Sequence, residues 1–273
     1  MIRTLMLAAI ATVAPAAATI DLDLVRLRAL PEAPQVRARL DGVLSAEAKA
    51  RLQAMDALFG FDPRRDLVRV VVHIPDAGAG SPSVRLFGLP ARRIASALSF
   101  SGSGVALPGG LTGYTLPKRP QALFVAIADD QALIAARSAW TEAMSPPAAP
   151  AASGSAISIH GVPGPHPRIE LMTLVSTWNL QSDASGHTTI AIAAADDAAA
   201  VELERRLGVI GDMIEVGAQG RLARPLDAKA VLAASTVTRS GATLGLDVHV
   251  PADIRSRGID RLIEHIGARA VAR

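Results

Sequence analysis

Gln121-Ala-Leu-Phe-Val-Ala-Ile-Ala-Asp-Asp130 and Gly186-His-Thr-Thr-Ile-Ala-Ile-Ala-Ala-Ala-Asp-Asp197 carry one pattern twice. An apolar, partly alternating run ends in two aspartates and gives way to a stretch with apolar residues at helical spacing. The run around Thr188–Ala194 is rich in β-branched side chains, which suit a pleated, half-buried surface. After it, Val201, Leu203, Leu207, Ile210, Met213, Ile214 and Val216 recur with charged residues between them, which predicts a helix over Ala198–Val216. After the first copy, Leu133, Ile134, Ala136, Trp140 and Met144 predict a helix over Gln131–Met144 in the same way. Asp129-Asp130 and Asp196-Asp197 read as paired carboxylates for acid–base or metal chemistry, or as caps on the free N–H groups of the following helix. Their recurrence at the same structural point favours caps, since a carboxylate also suits the positive end of the helix dipole.

Worked outward, the pattern gives an α+β protein of two tandem β-β-α-β-β-α units, with antiparallel sheets and helices packed mainly on one face. Residues 19–44, with Pro31 and Pro34, read as an extended lead-in. The first unit spans 45–144. Ser45 caps a helix over Ala46–Leu58 that Gly60 closes, and Phe61-Asp-Pro-Arg-Arg-Asp-Leu67 turns the chain into a strand over Val68–Ile74. Strand Ser83–Gly88, a helix begun by Pro90, a flexible loop over Ser101–Gly110 and a hairpin over Tyr114–Ala128 follow. Residues 145–154, Ser-Pro-Pro-Ala-Ala-Pro-Ala-Ala-Ser-Gly, form a linker. The second unit spans 155–273, with strands over Ala156–Val162, Ile169–Leu180, Thr188–Ala194, Ala230–Thr238 and Thr243–Val250, and a last helix opened by Pro251 and Asp253.

The amino terminus has the form of a secretory signal peptide over residues 1–18: Arg3, an apolar run Leu5–Val13, and Ala16-Ala17-Ala18 as a small-residue cleavage site. The mature chain is then expected in the periplasm or outside the cell, with no integral membrane segment, because no later stretch reaches spanning length. Half of the 273 residues are apolar and 3% aromatic, so the core is one of Ala, Val, Leu and Ile. Only Lys49, Lys118 and Lys229 are lysine among 28 basic residues, a bias of GC-rich coding rather than of function. The net charge of +3, spread over short clusters such as Arg64-Arg65 and Arg92-Arg93, gives no basic stripe for nucleic acid. The absence of cysteine excludes disulfides, thiol nucleophiles and cysteine-ligated zinc.

Candidate chemistry is sparse. His160, His166 and His187 lack the carboxylate partner or HExxH spacing of a zinc site, so neither metal nor cofactor is expected. Ser101-Gly-Ser-Gly104 lacks both the nucleophile elbow and the phosphate-loop lysine. Ser235, Asp247 and His249 can be drawn as a triad, but nothing marks Ser235 as activated. Strand alternation aims Arg69, His73, Arg85, His187, Thr189, Thr243, Asp247 and His249 away from the apolar strand faces, where they form a polar surface for an envelope protein, a peptide or a glycan. Such a surface requires these strands to be neighbours, and the reading favoured for it is an ordinary solvated sheet face, with the binding surface as the alternative. The expected function is an exported, non-enzymatic binding module of the bacterial envelope. Its alternatives are a hydrolase using His249 and Asp247 or the His160/His166 loop, and a structural accessory subunit.

The order of parts also resembles a family of uncharacterised exported bacterial proteins, common in planctomycete-like and other GC-rich genomes. The carrying features are the signal peptide, Leu58-Phe-Gly-Phe-Asp-Pro-Arg-Arg-Asp-Leu67, the hairpin Gly113-Tyr-Thr-Leu-Pro117, and the strand Ala122–Asp130 with its helix. The match covers residues 45–266. It implies a tandem α+β repeat and assigns no activity or catalytic residue.

Overall fold

The computed structural model describes residues 15–75, 81–101, 104–116, 119–140, 154–163, 173–206 and 235–249. The chain divides into two compact units, one of residues 19–27 and 44–150, the other of residues 1–18, 28–43 and 151–273. It is mixed helix and strand, with antiparallel sheet dominant and few helices.

The stretch 19–44 is not an extended lead-in. Strand β1 (Pro15–Asp23) is followed by helices α1 (Leu24–Arg28) and α2 (Ala33–Val43). The two prolines do not forbid this: Pro31 precedes α2 and Pro34 sits in its first turn, where no intrahelical N–H is needed. The cleavage motif Ala16-Ala17-Ala18 lies within β1, so a cut after Ala18 would leave that strand to begin at Thr19.

In the unit of 19–27 and 44–150, helix α3 (Ala46–Phe59) starts at Ser45, whose hydroxyl accepts the Ala48 N–H at 3.1 Å. It ends at Gly60, whose φ of 63° is the left-handed conformation that glycine adopts without a Cβ penalty. Asp62 caps the short helix α4 (Pro63–Asp66), with Pro63 at its first turn. Strands β2 (Arg69–Ile74), β3 (Ser83–Phe87), β4 (Gly104–Leu107), β5 (Leu111–Leu116), β6 (Arg119–Ala128) and β7 (Gln131–Ala136) make a sheet in the order β1-β2-β3-β7-β6-β5-β4. Helix α5 (Ala91–Ser101) covers one face, where Phe61, Leu89, Ala95, Phe124 and Ala132 are buried together.

Two expectations fail here for physical reasons. The Gln131–Met144 helix is absent from its first six residues, which are β7, joined to β6 by a tight turn at Asp129-Asp130. Alternation decides it: Leu133 packs with Leu123, Val125, Ala135 and Trp140 on one face, while Ala132 and Ile134 join the α5 face. Strand pairing buries both sides of this apolar run, which a surface helix would leave half exposed. Residues 141–144 lie outside the description. The loop expected over Ser101–Gly110 likewise contains β4, paired with β5, and a single 3₁₀ turn over Pro108–Gly110.

In the unit of 1–18, 28–43 and 151–273, strands β8 (Ser155–Pro163), β9 (Val175–Asp183), β10 (His187–Ala194), β11 (Ser235–Ser240) and β12 (Thr243–His249) run in the order β11-β12-β10-β9-β8, each antiparallel to its neighbour. Helix α6 occupies 197–206. Here the cap expectation holds: Asp196 Oδ1 accepts the Ala199 N–H at 2.7 Å, and its carbonyl accepts the Ala200 N–H. Ala199, Ala200 and Leu203 of α6 pack on Ala194 and Leu244. Trp178 is core, 7% exposed. The expected linker through Ser153, the loop holding His166, and the last helix lie outside the described residues, as does the rest of the expected Ala198–Val216 helix.

Candidate functional site

The β9–β10 turn sets the register of the surface that matters. Asp183 Oδ1 accepts the N–H groups of Ser185 at 2.8 Å and His187 at 3.0 Å, and Gly186 takes a φ of 96°. This is a side-chain-closed turn in which an aspartate substitutes for a backbone acceptor. Burial pushes the Asp183 carboxyl up, but the Ser185 hydroxyl and the N–H groups of Ser185, His187 and Gly186 hold it, on balance, below the usual value.

With that register fixed, residues alternate cleanly. One face is core: Ser182 opposes Thr188, Leu180 opposes Ile190, and Trp178 opposes Ile192. Thr188, Ile190 and Ile192 then oppose Val248, Leu246 and Leu244 on β12. The two hydroxyls at the end of this face satisfy each other, Ser182 Oγ to Thr188 Oγ1 at 2.8 Å. The other face is polar in successive cross-strand rows. His187 opposes His249. Thr236, Asp247, Thr189, Gln181 and Ser158 form the next row, and Thr238, Gly245, Ala191, Asn179 and His160 the one after. Ser240, Thr243, Ala193 and Thr177 form the last.

Five of the eight residues expected on a polar surface therefore meet: His187, Thr189, Thr243, Asp247 and His249, on β10 and β12. His187 Nε2 and Asp247 Oδ1 lie 2.6 Å apart, diagonally across the strands, with both side chains partly exposed. Diagonal neighbours are within reach of long side chains, so the pair ties β10 to β12 on the solvent side. Asp247 thus engages His187, not the His249 that shares its strand. Ser235 opposes Val248, which places it on the core face, away from Asp247 and His249. The triad drawn from those three residues does not form.

Arg69, His73 and Arg85 stand in the other unit, in a different setting. Arg69 makes a two-pronged ion pair with Asp21, its Nε donating at 2.8 Å, and its guanidinium lies 5.4 Å from the Phe87 ring centre. His73 Nδ1 is 3.3 Å from Thr19 Oγ1. Arg85 opposes Val71 on one side and Leu133 on the other, both buried, and burial pushes its guanidinium below the usual value. This face was expected to be the outward one; it is instead partly covered, because the apolar residues of β6 and β7 alternate to both sides and both must be buried.

Thr177, Asn179, Gln181 and Thr236 belong to the polar face and were not singled out from the sequence. The i, i+2 alternation of Thr177-Trp-Asn-Leu-Gln181 is the signal that marks three of them. Asn179 Oδ1 is buried without a hydrogen-bond partner among the described residues. His160 is exposed at the end of its row. Among the described residues no three His, Cys, Asp or Glu side chains are grouped to hold a metal ion. No described helix is long and apolar enough to cross a membrane.

Fold and face together define a cysteine-free α+β protein whose described antiparallel strands expose hydroxyls, amides and an imidazole–carboxylate pair. No protein-family model matches the chain, and no curated protein matches it in sequence. Three solved structures match, all of the protein TP0453. Crystal form III aligns with a TM-score of 0.46 and 11% identity over 92% of this chain and 94% of that one. Crystal form I aligns with a TM-score of 0.46 and 10% identity over 90% and 93%, and form IV with 0.44 and 10% over 92% of each.

Proposed function

We propose that the chain is an exported, non-enzymatic binding module of the bacterial envelope that engages a protein, peptide or glycan through the polar face of β10 and β12. The resemblance to exported bacterial proteins belongs to the same reading. The observation that carries it is the juxtaposition of His187, Thr189, Thr243, Asp247 and His249 on two strands in fixed register, with the opposite face of those strands anchored in core. A rigid surface of short hydroxyls loses little side-chain entropy on binding and offers both donors and acceptors. The His187–Asp247 pair adds a polar contact held in fixed geometry across the two strands.

The test is crosslinking capture from the envelope fraction, with the full chain beside a variant carrying His187→Ala, Asp247→Ala and His249→Ala. A partner retained by the first and lost by the variant, with circular dichroism unchanged, is the expected result. Identical captured sets would remove this face from the reading, and recovery of the protein only from the cytosol would remove the envelope.

One observation favours a second reading. A histidine held by a carboxylate at 2.6 Å is the base-and-orienter half of a nucleophilic site. If the protein is a hydrolase, His187→Ala abolishes turnover of an ester or glycoside substrate, and Ser235→Ala does not.

A further inference from the structure

We propose that His187, Asp247 and His249 form a surface site for one divalent ion of the zinc class, with two imidazoles and a carboxylate as ligands. The proposal rests on the same face as the binding reading and gives that face a metal ion as its ligand. His187 of β10 stands directly opposite His249 of β12. Opposed residues of an antiparallel pair have Cβ atoms about 4.5–5.5 Å apart. Two imidazole nitrogens on one tetrahedral zinc are about 3.4 Å apart, since each bond is about 2.0–2.1 Å. Rings that start side by side across the strands can close to that separation without movement of the backbone. The third donor is in place: Asp247 Oδ1 lies 2.6 Å from His187 Nε2. The metal takes the place of the hydrogen held between those two atoms, and the displaced proton goes to solvent.

As the side chains stand, no three donors among the described residues are gathered on one point. The movement required is a side-chain rotation. His249 is exposed, and exposed side chains exchange rotamers within ps–ns. The strands themselves are held: Val248, between Asp247 and His249, is 2% exposed and opposes Thr188, which is 1% exposed. The backbone positions of the three ligands are thus fixed while the rings turn. Imidazole donors favour zinc, copper and nickel over magnesium and calcium. Three protein ligands leave a fourth position for water or for a donor atom of a bound partner. No local motif marks the site, because its histidines come from different strands and meet only through the β10–β12 register. His160 shares the polar face but lies on β8, two strands from β10 and two rows further along.

The test uses the full chain, stripped with chelator and titrated with zinc chloride by calorimetry. One ion per chain is expected. His187→Ala, His249→Ala and Asp247→Asn are each expected to weaken binding more than about 10-fold, since loss even of a group that only orients a ligand costs about 10–100-fold. His160→Ala is expected to leave it unchanged. Cobalt in place of zinc reads the ligand set without any substitution: the strong visible absorption of a four-coordinate site is expected in the parent and is expected to be lost in His249→Ala. Circular dichroism checks that each variant is folded. A parent chain that binds no zinc would overturn the proposal. So would binding weakened less than about 10-fold by either histidine variant, binding removed by His160→Ala, or a cobalt spectrum that His249→Ala leaves as it is. A partner captured equally with and without chelator, by a chain that binds no zinc, would end the metal site and leave the binding face standing. Zinc bound at these residues by a chain that captures nothing would do the reverse.

Discussion

Two aspartate pairs in near-identical sequence settings do different work. Asp196 caps α6 through its carboxylate, whereas Asp129 and Asp130 turn β6 into β7 and offer backbone carbonyls to Gly88, Leu89 and Ala91 at the start of α5. Asp129 also meets Arg92 at 2.7 Å, with both side chains well exposed. The two therefore differ in what mutation costs. Asp196→Ala is expected to destabilise by about 1 kcal/mol, the usual loss of a helix cap. Asp129→Ala is expected to cost less than about 0.5 kcal/mol, since an exposed ion pair contributes little. Denaturant titration of the two variants beside the parent decides it; equal losses would mean the cap is not the difference.

At the scale of the element, β8 and β9 fit because Gly161 leaves room. A methyl group on Gly161 would lie 2.5 Å from Cζ2 of Trp178, the residue directly opposite. The ring cannot withdraw without opening its place in the core, so Gly161→Ala is expected to cost about 1–3 kcal/mol, the range for overpacking. The measurement is the shift in unfolding midpoint, with Trp178 fluorescence as the probe. The same alternation accounts for what the sequence revealed of the candidate site. Thr243, Asp247 and His249 could be assigned to a polar face from their own strand. That His187, rather than His249, meets Asp247 could not, because it depends on which strand lies beside β12 and in what register.

Acid sensitivity belongs to the whole molecule, since both units hold carboxylates that are charged in the folded state below their ordinary range. Hydrogen bonds from Arg64 lower Asp62, and the turn that Asp183 closes lowers that residue on balance. Hydrogen bonds from Arg205 and then Arg206 bring Glu202 down to about 2 from 4.5. Each group has a folded value below its unfolded one. The stability it contributes is therefore complete above the unfolded value and fades as pH falls through the folded one. For Glu202 the window runs from 4.5 to about 2. The melting temperature is expected to fall across that window, and Glu202→Gln is expected to flatten part of the fall. A Glu202→Gln profile parallel to the parent's would show that this helix-surface cluster adds nothing.

The sequence by itself determined the antiparallel α+β character, the caps at Ser45 and Asp196, and the stop at Gly60. These follow from interactions within a few residues: a side-chain acceptor near free N–H groups, a glycine at positive φ, an alternating strand. Only the tertiary structure decided that Gln131–Ala136 is a strand, that residues 24–43 hold helices, and that Arg69 and Arg85 lie against covered surface. An Ala-rich run such as Gln131-Ala-Leu-Ile-Ala-Ala136 favours helix by local preference, since Ala, Leu and Gln are good helix formers. The choice fell to the partners on either side, β3 and β6, which bury both of its faces together.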